Sequence, residues 1–224
     1  MPKLPKLNII YEDNHLIVVE KPAGIPVQAD SSNDIDMLTI LKEYRKIKEK
    51  KSGDAFIGLV HRLDRPVSGI MVFAKTSKAA SRLSDQIRQN IFHKTYCTVV
   101  NGILPSQGTF EDYLLKDTNK NISYTTTKNK GKFAKLEYQV LETKNNLSLV
   151  KINLITGRSH QIRVQFSSRN HPLVGDSKYG SNKNNIDIAL FAKSIVFYHP
   201  TTKEKLTFDV SLPSKYPFNL FKTK

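Results

Sequence analysis

Two unbroken apolar runs, Leu16–Val19 and Ile70–Ala74, constrain the fold of this 224-residue chain more than any other feature. Runs of this length, bounded by polar or turn residues, suit strands buried on both faces, and they fall far below the roughly 18 residues of a membrane span. Elsewhere the pattern is alternation. Ala134, Leu136, Tyr138 and Val140 alternate with Lys135, Glu137 and Gln139, and Val150, Ile152 and Leu154 repeat the pattern before Thr156-Gly157. Strands with one face in the core and one in water read this way. Ile9–Tyr11, Phe56–Val60 and Tyr96–Val100 are further strand segments, while Phe191–Tyr198, a His199-Pro200 turn and Leu206–Val210 read as a closing hairpin.

Helical periodicity is rarer. Apolar residues at positions 37, 40, 41, 44 and 47 predict a helix from Met37 that Ser52-Gly53 stops. Lys78–Asn90 puts Ala79, Ala80, Leu83 and Ile87 on one face, with Thr76 or Ser77 as cap. Ser159 is expected to cap a short helix through about Ser168, with Ile162 and Phe166 inward. The polar stretch Lys116–Gly131 reads as a mobile loop, and no linker or internal repeat divides the chain. Strands outnumber helices and most connections resemble hairpins. The expectation is an α+β fold, a mixed or mostly antiparallel sheet flanked by helices and loops, forming one domain over residues 1–224 with a core at about 9–212.

Composition narrows the partners. Lysine and arginine number 35 against 20 acidic residues, a formal charge of +15, and such an excess favours polyanions. The basic run Lys42–Lys51 is either a solvated helix end or the outer part of such a surface. A lone cysteine, Cys97, excludes an intrachain disulfide and a thiolate metal cage. Met1–Asn8 contains two prolines and no apolar stretch of the ~7–15 residues in a secretion signal, so a cytoplasmic location is expected, with no membrane association.

Three segments carry candidate chemistry. No phosphate-binding glycine loop, nucleophile elbow or His-Glu-x-x-His pattern occurs, and none of the six histidines pairs at ligand spacing, so no metal site is expected. In His61–Gly69, a loop between two buried strands, Asp64 stands between Arg62 and Arg65, with Pro66 and Gly69 fixing the turn. Neighbouring guanidinium groups favour an ionised Asp64. The same residues could be an ordinary surface turn with a local ion pair. Thr156–Arg163 crowds Arg158, His160 and Arg163 at a helix start, where anions are favoured, or it is a capped helix with solvated arginines. Lys94-Thr95-Tyr96 opens a strand, and Tyr96 is by itself either a core tyrosine or a catalytic one.

Taken in order, these segments resemble the RluA-type pseudouridine synthases. Ile10–Gly24 is similar to the family's first motif, His61-Arg62-Leu63-Asp64 with Ser68-Gly69 to its catalytic loop, and Lys94-Thr95-Tyr96 to its tyrosine motif. Gly157–Val164 resembles the third motif, and His171–Asp176 with Tyr179-Gly180 the segment that follows. The resemblance implies an RNA-modifying isomerase in which Asp64 attacks a uridine, Tyr96 packs against the base and helps remove its C5 proton, and Arg163 pairs with Asp64. Arg62 would enter the RNA where the target leaves the stack, and His61, Arg65, Arg158 and His160 are the remaining RNA-binding candidates. No cofactor or metal is implied, the substrate is rRNA or tRNA, and a monomer is the default.

Two positions depart from the family pattern: Val67 stands where threonine is common, and Gln165 where histidine is frequent. With the first motif starting this near residue 1, no S4 RNA-binding domain is expected ahead of it, and recognition is expected to fall on the catalytic domain. Two rival readings keep the fold but change the activity: a non-catalytic RNA-binding assembly factor, and a hydrolase that uses Asp64 to release the base.

Overall fold

The computed structural model describes residue 5 and residues 7–50, 52–180 and 186–222. Its chain divides into two compact units, the first running to His93 and including Ser194–Val210, the second comprising Lys94–Lys193 and the segment from Ser211 onward.

In the first unit β1 (Asn8–Glu12) pairs antiparallel with β2 (Leu16–Lys21) across a turn in which the Asp13 carboxylate accepts from His15 N and Leu16 N. Helix α1 (Met37–Lys48) follows, capped by Asp36, which accepts from the amides of Leu38 and Thr39. Only Gly58–Leu59 of the expected Phe56–Val60 strand is paired, as β3, because Phe56 carries no ladder bond and its side chain stays exposed. β4 (Ser68–Ala74) pairs with both β2 and β3, which accounts for the unbroken apolar character of its sequence: Ile70–Ala74 is fully buried. Helix α2 (Ser77–Arg88) is capped by Thr76, whose hydroxyl accepts from Ala79 N. Basic residues of α1 serve the fold. Arg45 donates to the carbonyls of Phe56 and Lys75, and Lys48 pairs with Glu12, so two residues of the basic run are engaged within the fold. Lys51 lies outside the described residues.

The second unit is built on antiparallel strands in the order β5-β9-β8-β6-β7. β5 (His93–Asn101) pairs with β9 (Leu147–Leu154), β9 with β8 (Lys132–Lys144), β8 with β6 (Gln107–Asp117), and β6 with β7 (Ile122–Thr126). Helix α3 (Gln161–Ser167) packs on the inner face of this ribbon, where Leu114, Ala134 and Val164 cluster beside Tyr179. Phe110, Tyr138 and Phe166 fill the adjoining core with ring centroids 4.9–5.8 Å apart. The final hairpin is β10 (Leu190–Tyr198) and β11 (Lys205–Asp209); Ser194–Tyr198 supplies its ladder in the first unit.

The architecture is the expected α+β with antiparallel ladders. Two further local expectations fail. Lys116–Gly131 is not a loop throughout, because β6 continues to Asp117 and Ile122–Thr126 returns beside it. The cap of α3 is His160 rather than Ser159: His160 adopts a left-handed conformation (φ 52°), and no side chain caps the helix.

Candidate active site

The Asp64 loop belongs to the first unit. Gly69 leaves the loop as β4 begins, and Val67 N donates to Asp64 O at 3.0 Å, closing a tight turn that holds the carboxylate half-exposed. Lys21, at the end of β2, is wholly buried and supports this turn from beneath. Its ammonium donates to Pro22 O at 2.8 Å, Arg65 O at 3.0 Å and Val67 O at 2.8 Å. Three N–H donors thus meet three main-chain carbonyls, two of them on either side of Pro66. Burial pulls the Lys21 ammonium down to about 8; the Asp64 carboxylate opposes that shift and the Arg65 guanidinium adds to it.

Arg65 ties the loop to the segment after β2. Its Nε donates to Gly24 O at 2.9 Å, its guanidinium pairs with Asp34, and Gly24 N returns a bond to Arg65 O at 2.9 Å. Gly24 has φ +85°, a conformation that favours glycine. His61 also has a local function: Nε2 accepts from Val72 N at 3.1 Å and the ring lies 5.5 Å from that of Phe92. Arg62 is exposed. Val67, one of the departures, is buried at the turn and acts through its carbonyl, which Lys21 grips whatever the side chain.

The second unit positions Tyr96, Arg158, His160 and Arg163. Tyr96 sits on β5, opposite Ile152 of β9, and is buried. Arg163, on α3, is buried with Asp176, which accepts from Nε at 2.8 Å and from Nη2 at 2.7 Å. Asp176 Oδ1 also accepts from the amides of Lys178 and Tyr179, and the guanidinium carbon lies 5.2 Å from the Tyr179 ring centre. Tyr179 in turn hydrogen-bonds His160 Nδ1 at 2.9 Å and Ser123 N at 2.5 Å. Burial raises the Tyr179 phenol above its ordinary value, with the Ser123 amide and Arg163 opposing it. Gly175 permits this corner, since a Cβ there would stand 2.3 Å from Asp187 O. Arg158 stays exposed, with Nε donating to Phe133 O at 2.8 Å.

Lys21 in the first unit, and Asp176, Tyr179, Gln161 and Lys94 in the second, lie within the motifs but carried no role of their own in the sequence. Gln161 Oε1 accepts from the Thr156 hydroxyl and Arg158 N, fixing the Gly157 turn, while buried Lys94 lies 3.3 Å from where a Gly157 Cβ would be. Desolvation lowers the Lys94 ammonium from its ordinary value. Gln165, the other departure, donates to Asp112 at 2.7 Å, and Arg169 pairs with that same carboxylate. Its role is to fasten β6 to α3.

These motifs, in this order on these elements, can be compared with known proteins. Residues 15–168 match the sequence model of a family described as RNA pseudouridylate synthase. The chain belongs to that family. A ribosomal large subunit pseudouridine synthase D of Neisseria meningitidis is 34% identical over 226 residues, covering 95% of this chain and 60% of the relative. An uncharacterized RNA pseudouridine synthase of Bacillus subtilis is 32% identical over 96% of this chain and 71% of its own length. The chain thus spans about 60% of the length of the Neisseria relative. In structure, human RNA pseudouridylate synthase domain containing 4 aligns with a TM-score of 0.76 at 24% identity, over 92% of this chain and 88% of that one, a likeness of fold.

Proposed function

We propose that this chain isomerises uridine to pseudouridine in RNA, with Asp64 as the nucleophile. Beyond family membership, one observation supports the reading. Asp64 is a half-exposed carboxylate on a turn whose main chain is fixed independently of it, by Lys21 and by Arg65. A nucleophile must be accessible and yet held within a fraction of an ångström, and this arrangement meets both needs.

The reaction balances without a co-reactant. The N1–C1′ bond breaks, the base turns, C5 bonds to C1′, the C5 proton leaves and N1 gains a proton. One nucleophile and one proton-transfer group suffice for this. A retaining glycosidase would instead call for two carboxylates ~5–5.5 Å apart, and the catalytic-loop, tyrosine and third motifs carry Asp64 alone. Tyr96 and Arg163 keep the roles the resemblance implies, base packing with C5 deprotonation and charge pairing to the aspartate. Arg62, exposed on the same loop, occupies the space vacated by a flipped uridine. The substrate is rRNA or tRNA, and the name of the Neisseria relative makes large-subunit rRNA the first to test.

The test uses RNA tritiated at uridine C5. A synthase releases tritium with the strand intact; release of free uracil would indicate a hydrolase, and neither product a binding protein only.

A further inference from the structure

The outer face of the β6–β7–β8 ribbon carries a row of aromatic side chains. Cross-strand pairing puts Leu115 opposite Tyr124, and Tyr113 opposite both Thr126 and Phe133. Residues two apart on a strand share a face, so Tyr113, Leu115, Tyr124 and Phe133 lie together on one side. The other side is the core, where Leu114, Ala134 and Ser123 are buried. Of the outer rings, Tyr124 is 44% exposed and Phe133 40%, while Tyr113 is half-buried with its ring 5.7 Å from that of Phe133. Cross-strand packing accounts for the Tyr113–Phe133 pair but not for the exposure of Tyr124, or for a phenylalanine left open to water.

The surroundings identify an occupant. From Lys116 to Lys135 the sequence holds six lysines and one acidic residue, Asp117. Lys120, Lys128 and Lys130 stand exposed in the connections, and Lys135 lies two residues from Phe133 on the same face, paired there with Glu111. Arg158 is fastened by Nε to Phe133 O and leaves an exposed guanidinium beside the row. Rings in a lysine-rich rim suit a polyanion that offers flat apolar faces. Single-stranded nucleic acid has both properties, whereas a duplex hides its base faces and an acidic peptide offers none.

We infer that this ribbon face is a stacking platform for unpaired RNA bases other than the target uridine, one base on Phe133 and Tyr113 and another on Tyr124. The inference rests on the proposed function for the identity of the RNA but not for the act of stacking. Diagonal neighbours on adjacent strands are about 7–8 Å apart, within the reach of successive splayed nucleotides. The consequence is a preference for substrates whose target is flanked by unpaired nucleotides.

Because the chain has no tryptophan, Phe133→Trp introduces a single fluorescent reporter. Titration with a uridine-free single-stranded oligoadenylate is expected to quench it, and a duplex of equal phosphate content to leave it largely unquenched. In tritium release, Tyr124→Ala and Phe133→Ala are each expected to raise KM about five- to hundredfold, with the loss falling on KM rather than kcat, and Phe133→Tyr to restore binding. Equal quenching by duplex and single strand, or KM within twofold of the parent in both alanine variants, would overturn the platform. So would quenching that depends on protein concentration without RNA, which would indicate a second copy as the occupant. If the parent chain releases no tritium, the synthase reading fails, while strand-selective quenching would still uphold the platform.

Discussion

The regions around Asp64 and Arg163 are held together by opposite means. Around Asp64 the protein grips main chain: Lys21 takes three carbonyls, Arg65 takes one and receives an amide through its own carbonyl, and the carboxylate stays half-exposed. Around Arg163 it grips side chain, in a buried two-point pair with Asp176 that further amides and Tyr179 complete. The first arrangement fixes a stretch of main chain on which the reactive group stands. The second makes position and bonding the same thing. A reactive group should therefore be removable from the first region with little effect on folding, and no partner should be removable from the second without a large one.

The sharpest test is Asp64→Asn, which should lower tritium release by at least about a thousandfold while leaving stability within about 1 kcal/mol in urea denaturation. A large loss of stability would show that the carboxylate holds its own loop. Asp176→Ala removes the two-point acceptor of the buried Arg163 guanidinium, and should destabilise the fold by about 3–5 kcal/mol in the same measurement. Lys21→Met strips the donor from three carbonyls, that of Val67 buried, and should cost about 2 kcal/mol, with a loss of kcat from a loosened turn. A milder perturbation of that contact is pH. Near pH 8 the ammonium becomes an amine with two N–H groups, too few for three carbonyls, so kcat should decline above about pH 8. Stability should move the other way. The native pKa lies below the unfolded value, the unfolded chain binds more protons between about 8 and 10.5, and stability rises across that window and is lost as pH falls through 8. Opposite pH trends in kcat and in the denaturation midpoint are the signature. The smallest effect belongs to Asp34→Asn, which removes the exposed partner of Arg65 and should leave the denaturation midpoint unchanged.

What the sequence disclosed follows from where the determining interactions lie. Strands β2 and β4 announce themselves because both faces are buried, and α1 because one face of it is. β6 gives little signal: of its 11 residues only Phe110 and Leu114 are buried, four apart, which is neither alternation nor a run. β7 is similarly hidden among asparagines, threonines and lysines, and is set by its ladder to β6 and by the Ser123–Tyr179 bond. Asp64, Tyr96 and Arg163, the candidate site residues, were legible as members of ordered motifs. Their supports were not, because Lys21 meets its carbonyls 44 and 46 positions away and Asp176 meets Arg163 from a turn 13 residues on. No local pattern encodes a partner at that separation. His160 as helix cap was missed for a different reason, since a left-handed histidine supplies no capping side chain for the sequence to advertise.

The reach of Lys21 also bears on how the chain arrives at its native state. Lys21 is also the residue of the β2–β4 ladder that pairs with Gly69, so its grip on Arg65 O and Val67 O is expected to close with that ladder or after it, not before. Weakening the grip should then accelerate unfolding and leave the folding rate nearly unchanged. A chain that has collapsed but not finished lacks the shaped turn, and competence for the reaction becomes a readout of completed folding.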